Sequence, residues 1–170
     1  MIRLHLVRHG IAGERDPVKY PDDGRRPLTQ EGMRQFRRAA QGIGALIGEV
    51  DCLLASPLLR AVQTATILHE VADMPAPKLE PVLAPEHTSD QVLAALATRE
   101  ARSIVIVGHE PGLGHLLATC LTGRDNGMQV RIRKGAAVCV SFDTQLCGGW
   151  GQLEWLLQPK ALRELGKLNG

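Results

Sequence analysis

The sequence predicts an α/β protein whose open sheet contains parallel strands, and two stretches of the chain carry that prediction. Over residues 2–7, apolar Ile2, Leu4 and Leu6 alternate with other residues, which is typical of a strand. Residues 103–107 are apolar at nearly every position, as expected of a parallel strand buried on both faces. Segments with the apolar spacing of helices lie between the two stretches and complete the α/β pattern.

Each of these strands is followed by a histidine that lies next to a glycine. Arg8, His9 and Gly10 end the first strand, and Gly108 and His109 end the second. Glycine permits a sharp backbone turn, and open α/β sheets bind ligands at the carboxyl ends of their strands. We therefore expect both imidazoles and one guanidinium to lie in a single crevice.

The composition indicates an ordinary soluble protein with one domain spanning residues 1–170. Hydrophobic residues make up 44% of the chain and charged residues 22%, and a net charge of +2 argues against nucleic acid or a membrane surface as a partner. Neither a signal peptide nor a membrane-length apolar run is visible, so we expect a cytoplasmic protein. The cysteines lack zinc-site spacing and are expected to be reduced: Cys52, Cys120, Cys139 and Cys147.

A long polar connection, residues 11–28, follows the first strand. Connections of this length inside a domain are usually functional or disordered. Its end carries Arg25 and Arg26, and Thr29 is expected to cap the helix that comes next. That helix presents one apolar stripe, formed by Met33, Phe36, Ala40, Ile43 and Ile47.

A short strand at residues 51–55 is predicted to lead into a second helix. Ser56 is expected to be its N-cap, with Pro57 at the first helical position. Arg60 then lies about one turn into the helix, where side chains lean toward the amino end. We expect its guanidinium to reach the strand end, where the helix dipole also favours an anion.

The second half of the chain supplies the remaining elements. We predict a short strand near residues 79–83, a helix from Ser89, a helix opened by Pro111, and strands at residues 136–142 and 152–157 joined by a turn at Gly148 and Gly149. Basic Arg131, Arg133 and Lys134 are interleaved with apolar residues, which indicates the solvated side of a strand or ribbon. The glycines around residue 110 lack dinucleotide-site spacing.

A phosphoryl-binding site is predicted where these elements converge. Arginines bind phosphate oxygens through paired hydrogen bonds, and a histidine among them can attack phosphorus as a nucleophile. Positive charge nearby lowers the pKa of an imidazole and keeps its attacking nitrogen unprotonated at neutral pH. The convergent side chains are those of Arg8, His9, Arg60 and His109, with Arg26 as a further member.

Three blocks of this sequence resemble the signature blocks of the histidine phosphatase superfamily. They are LVRHG at residues 6–10, SPLLRAVQTA at residues 56–65 and VGHEP at residues 107–111, and the resemblance covers nearly the whole chain. The chain's small size, RPLT at residues 26–29 and the region around residues 155–159 resemble the superfamily's short branch, the SixA-type phosphohistidine phosphatases. The resemblance implies a three-layer α/β/α sandwich with a mostly parallel central sheet, the phosphoglycerate mutase-like fold.

The same resemblance implies roles for the site residues. His9 would be the nucleophile that forms a covalent phosphohistidine, while Arg8, Arg60 and His109 would hold the phosphoryl oxygens. Arg26 matches a further phosphate contact of the short branch. No metal or other cofactor is implied, and the partner would be a phosphorylated protein, such as a phosphohistidine domain, or a small phosphorylated substrate.

The proton donor is the one role that the sequence does not fill. Larger members of the superfamily place a glutamate near the middle of the chain, a pattern that residues 83–90 do not match. Glu86 is the nearest candidate, although a solvated loop carboxylate is the simpler interpretation. A phosphorylated imidazole takes its proton from solvent on its second nitrogen, so a site without a dedicated acid is expected to prefer phosphohistidine.

Other hypotheses remain open at this point. The same chemistry could act on a small phosphomonoester, such as a sugar phosphate or nucleotide, and the chain is short for a mutase. A non-catalytic module that binds phosphorylated partners is an alternative of another class. Among the other histidines, His5 is expected to pack beneath the site, and His69 and His115 to lie at the surface.

Overall fold

A single six-stranded sheet organises residues 1–168, the part of the chain that the computed structural model describes. Its strands are β1 (Ile2–Arg8), β2 (Cys52–Ala55), β3 (Lys78–Leu79), β4 (Ser103–Gly108), β5 (Ala137–Phe142) and β6 (Gln152–Leu157). Their order across the sheet is β3-β2-β4-β1-β5-β6. The first four run parallel, whereas β5 is antiparallel to β1 and β6 is antiparallel to β5.

Helices cover both faces of this sheet, so the predicted three-layer α/β fold is confirmed. The helices are α1 (Gln30–Leu46), α2 (Leu59–Ala72), α3 (Ser89–Ala97), α4 (Gly112–Thr122) and α5 (Pro159–Leu168). The first, second and fifth pack on one face, around Phe36, Ile43 and Leu68. The other two pack on the opposite face, around Leu96 and Leu117. None of the helices within residues 1–168 has the length and apolar character needed to cross a bilayer.

The pairing of β1 with β4 places the two histidine turns side by side. Arg8 is in register with Gly108, and the backbone N–H of His9 donates to the Gly108 carbonyl at 3.0 Å. His9 and His109 therefore leave the sheet at the same edge. The backbone therefore has the two histidine turns at one edge of the sheet, as the sequence predicts.

The amino end of α1 lies directly against the turn that follows His9. The Thr29 hydroxyl accepts from the Gly32 N–H at 2.8 Å, so the expected N-cap is confirmed. A Cβ on Gly32 would come within 2.0 Å of the Ile11 carbonyl oxygen. Only glycine therefore allows the helix to approach the loop after His9 this closely.

The start of α2 differs from the sequence prediction. The helix begins at Leu59, with Leu58 as an N-cap residue that makes no side-chain capping bond, instead of at Ser56 and Pro57. Ser56 is fully buried, and its N–H donates to the Val107 carbonyl at 2.9 Å, so it extends the ladder between β2 and β4. Sheet pairing outcompetes the local capping signal at this position. Arg60 consequently lies in the first turn of the helix.

Three further segments depart from the expectations. The strand expected near residues 79–83 is shorter, because β3 ends at Leu79 and Pro81–Leu83 form a 3₁₀ turn. Residues 131–134 form no strand, since Ile132 is buried and its carbonyl binds the Arg8 side chain. Helix α5 was not predicted, although Leu162 and Leu165 after a proline at the first position could have indicated it.

Candidate active site

His9 has a fixed orientation at the end of β1. Its ring Nδ1 lies 2.7 Å from the Gly10 carbonyl oxygen, and the Gly10 N–H donates to the Thr64 hydroxyl at 3.1 Å. A carbonyl oxygen only accepts, so Nδ1 carries the proton and donates. Nε2 is therefore the ring nitrogen that retains a lone pair for attack.

The environment of His9 strongly favours the neutral ring. Burial and, to a smaller degree, the charges of Arg60 and Arg8 lower its pKa to about 3, against the opposing effect of the Gly10 carbonyl. The sequence analysis had attributed this effect to positive charge alone. Burial is the larger cause, because the side chain lies between the sheet and the surrounding loops with only 4% of its surface exposed.

This lowered pKa predicts the titration behaviour of His9. In ¹⁵N spectra of histidine-labelled protein, we expect His9 to remain the neutral Nδ1–H tautomer from pH 8 to pH 5. An unperturbed imidazole with a pKa of about 6.5 would be almost fully protonated at pH 5. The His9→Ala variant assigns the signal, and exposed His115 provides a reference ring in the same spectra. Protonation of His9 near pH 6.5 would contradict this account of the site.

Two arginines lie close enough to His9 for their charges to lower its pKa. One Nη of Arg8 donates to the Ile132 carbonyl at 2.7 Å, and the Nη atoms of Arg60 donate to Asp23, to its carbonyl at 2.8 Å and its carboxylate at 3.1 Å. The Nε atoms of Arg8 and Arg60 are buried and have no hydrogen-bond partner within the described chain. Buried donors without partners cost free energy, which an anionic ligand recovers when it binds them.

Arg26 and Asp23 form hydrogen bonds next to Arg60. The Asp23 carboxylate accepts from Arg26 Nε at 2.8 Å, and Arg26 also donates to the Gly13 carbonyl at 2.7 Å. Asp23 thus bridges Arg26 and Arg60 and offsets their mutual repulsion. Its hydrogen bond with Arg26 and the charges of both arginines lower the pKa of the carboxyl group. The sequence analysis missed Asp23; its position three residues before Arg26 was the available signal.

His109 lies close enough to His9 for its charge to act on the His9 ring. Its Nε2 is 3.1 Å from the Leu83 carbonyl oxygen, so Nε2 carries a proton and donates. Burial lowers the pKa of the ring, and the Leu83 carbonyl opposes this while Arg60 and Arg8 add to it. A positive charge on the His109 ring in turn contributes to the lowered pKa of His9. The structure therefore brings together the four side chains that were predicted to converge.

Glu110 and Glu80 already have binding partners. Glu110 accepts from the Gly114 N–H at 2.9 Å at the start of α4, and buried Glu80 forms an ion pair with Arg99. Glu86 is exposed on its loop and makes no hydrogen bond within residues 1–168. Its position agrees with the interpretation of a solvated carboxylate.

Three further histidines lie in different surroundings from His9 and His109. His5 is buried against Trp155, with ring centroids 6.0 Å apart, while His69 and His115 are exposed. Burial lowers the pKa of His5 to about 4, which keeps this core ring neutral. Within the described residues, no three His, Cys, Asp or Glu side chains come together as a metal site would require.

Sequence comparison identifies relatives of this chain. The histidine phosphatase superfamily (branch 1) model matches residues 4–85. An uncharacterized protein of Picosynechococcus sp. is 36% identical over 140 residues, which cover 81% of this chain and 83% of that protein. The phosphohistidine phosphatase SixA of Escherichia coli is 27% identical over 166 residues, covering 95% of this chain and 97% of its own length.

Solved structures show the same architecture. The protein histidine phosphatase SixA complexed with tungstate superposes with a TM-score of 0.80 at 27% identity, over 95% of this chain and 99% of that one. A mycobacterial glucosyl-3-phosphoglycerate phosphatase superposes with a TM-score of 0.70 at 16% identity, over 93% of this chain and all of that one. The second likeness concerns the fold alone.

Proposed function

Since the chain belongs to the histidine phosphatase superfamily, we propose that it is a phosphohistidine phosphatase that works through a covalent phosphohistidine on His9. The observation that carries this proposal is the pair of buried, unpartnered Nε donors of Arg8 and Arg60 in the pocket of His9. Donors of this kind bind phosphoryl oxygens, and the neutral ring supplies a nucleophile beside them.

In the first step, the lone pair on His9 Nε2 attacks phosphorus. The bond between phosphorus and the leaving nitrogen breaks, and the electron pair of that bond stays on the leaving imidazole. Arg8 and Arg60 bind the non-bridging oxygens, on which charge is concentrated as the transfer proceeds. The hydrogen bond from His9 Nδ1 to the Gly10 carbonyl holds the ring in place and stabilises the positive charge that it acquires.

In the second step, water attacks the phosphorus of phospho-His9. The bond to Nε2 breaks, its electron pair returns to the ring, and orthophosphate carries away the protons of the water. His109 assists both steps as a cation. The Leu83 and Glu110 carbonyls favour the protonated ring, whose positive charge lies near Arg8, Arg60 and His9. The dianion favours that protonation, against the burial that disfavours it in the free site.

We propose phosphohistidine as the substrate because Asp23 and Glu110 are both held by other groups and are not positioned to donate a proton. An alkoxide leaving group needs a positioned proton donor, whereas a phosphorylated imidazole takes its proton from solvent and leaves as a neutral ring. Asp23 is held by two arginines that keep it ionised, and Glu110 is held at the start of α4. The E. coli relative is named for the same substrate class.

The rival function is hydrolysis of a small phosphomonoester by the same mechanism. The likeness to a glucosyl-3-phosphoglycerate phosphatase favours this candidate, although it concerns the fold only. Purified protein assayed against phosphohistidine peptides and a panel of phosphomonoesters separates the two functions. We expect kcat/KM for phosphohistidine to be the higher by at least tenfold, and the reverse order would establish the rival. Binding of either substrate without turnover would instead indicate a non-catalytic binding module.

Glu86→Gln tests the hypothesis that no dedicated acid takes part. Because Glu86 is exposed and unbonded, we expect the variant to hydrolyse phosphohistidine at a nearly unchanged rate. A loss of about a hundredfold or more, the scale of general acid catalysis, would identify Glu86 as the donor. Glu80 is unsuitable as a comparison because it is paired with Arg99, so exposed Glu100→Gln serves as the control.

A further inference from the structure

We propose that Lys134 is a further substrate-binding residue of this site and that its ammonium group contacts the phosphoryl oxygens. The inference rests on the proposed phosphatase function and adds a residue that the sequence analysis had assigned to a solvated strand face. It follows from the position of the turn that carries Lys134, from the charges around the side chain and from the lack of a paired carboxylate.

The turn that carries Lys134 is attached to the strand that carries the nucleophile. The Gly135 N–H donates to the carbonyls of both Arg8, at 3.1 Å, and His9, at 3.0 Å. The Ala136 N–H closes the turn by donating to the Arg133 carbonyl at 2.8 Å. Gly135 has a φ of +80°, a conformation that favours glycine, so the turn geometry is built into the sequence.

Lys134 lines a cleft that adjoins the turn after His9. Together with Gly10 and Ile11, the two residues after the nucleophile, it lines the cleft between α1 and the Gly135 turn. Partial burial lowers the pKa of the ammonium group, and the charges of Arg8, Arg26 and Arg60 lower it further. These are the cations of the candidate phosphoryl site, which places the ammonium within their field.

No carboxylate within residues 1–168 forms an ion pair with Lys134. Asp23, which lies among the same cations, is engaged by Arg26 and Arg60. Asp23 offsets the repulsion between Arg26 and Arg60, but Lys134 has no such partner, and a bound dianion would relieve its repulsion with these cations. The arrangement is therefore unfavourable in the free protein and favourable once a phosphoryl group binds.

A lysine side chain is well suited to bind a phosphoryl group. Its ammonium is a compact charge on a flexible stem, so it can follow a phosphoryl group as bonds form and break. Arg133, the preceding residue in the turn, is exposed like Lys134 but does not contribute to the lowered pKa of Lys134. It supplies a matched control for the general effect of removing one positive charge.

The test compares wild type with Lys134→Met, Lys134→Arg and Arg133→Met. The affinity for inorganic phosphate is measured by calorimetry, Tm by thermal unfolding without ligand, and kcat and KM with a phosphohistidine peptide. We expect Lys134→Met to weaken phosphate binding and lower kcat/KM by about tenfold or more, the effect of losing one charged hydrogen bond. Its ligand-free Tm should equal or exceed that of wild type, because a repulsion is removed.

The other variants test whether the loss of phosphate binding is specific to Lys134 or follows from the loss of any positive charge in the turn. Lys134→Arg should retain phosphate binding within about threefold, since the charge is kept, and Arg133→Met should match wild type. Equal phosphate affinity in Lys134→Met and wild type would overturn the inference, as would an equal loss in Arg133→Met. If wild type neither bound phosphate nor hydrolysed any phosphorylated substrate, the proposed function would fall as well. An active wild type with an unaffected Lys134→Met would remove this inference alone.

Discussion

Replacement of His9 by alanine is expected to abolish turnover, with a loss of roughly 10⁴-fold or more in kcat, the scale seen when a nucleophile is removed. The proposed mechanism forms a phosphorus–nitrogen bond to His9 Nε2, whose lone pair is free because the ring proton is on Nδ1. His9 Nδ1 and His109 Nε2 each donate to a carbonyl. Phosphate label from a ³²P-labelled substrate should therefore attach to the wild-type protein only.

The chemistry of that label provides the decisive measurement. A phosphohistidine is labile in acid and stable in base, whereas a phosphoserine behaves in the opposite way. Mass spectrometry of the trapped protein should place the phosphoryl group on the peptide that contains His9. His115→Ala, which alters an exposed histidine of α4, should label and turn over normally. Stable label in acid, or full activity in His9→Ala, would refute the covalent mechanism.

The second large effect is expected from Arg60. Arg60→Met keeps the buried aliphatic stem but removes the unpartnered Nε donor, and we expect kcat to fall about 10²- to 10³-fold, as for the loss of one oxyanion donor. The physical reason is that charge concentrates on the phosphoryl oxygens during transfer. The loss should therefore appear mainly in kcat, measured in steady state with a phosphohistidine peptide.

Two comparisons make the Arg60 result interpretable. Arg60→Lys keeps the charge but not the planar donor geometry, so most of the loss should remain. Arg37→Met removes an exposed arginine of α1 that pairs with Glu70, and it should leave kcat unchanged. A rise in KM with unchanged kcat in Arg60→Met would mean that Arg60 binds substrate and transition state equally. Thermal unfolding of each variant separates catalytic loss from misfolding.

Several features of the site follow from sequence patterns alone. The alternation in β1, the doubly apolar β4 and the histidine after each strand predicted two imidazoles at one sheet edge. The direction of side chains on a helix predicted that Arg60 would reach the same region, even though the helix begins two residues later than its capping signal indicates. These patterns succeed because they depend on local geometry, namely strand periodicity and helix direction.

Other features depend on contacts between distant parts of the chain. Asp23 bridges Arg26 and Arg60, the Leu83 carbonyl fixes the tautomer of His109, and the turn at Gly135 brings Lys134 beside the nucleophile. Apart from Asp23 and Arg26, which are three residues apart, these partners are separated along the chain by connections whose path no local periodicity specifies. The low pKa of His9 is a property of the same kind, because burial produces most of it.

The sequence by itself thus determined the fold class, the two histidine turns and the family, since these are encoded in runs of neighbouring residues. The tertiary structure alone decided which donors remain unpartnered, which carboxylates are engaged and which turn binds the end of β1. The reason is physical: hydrogen-bond satisfaction, burial and the field of surrounding charges are sums over neighbours in space. Those neighbours are known only once the strands have paired and the loops have packed against them.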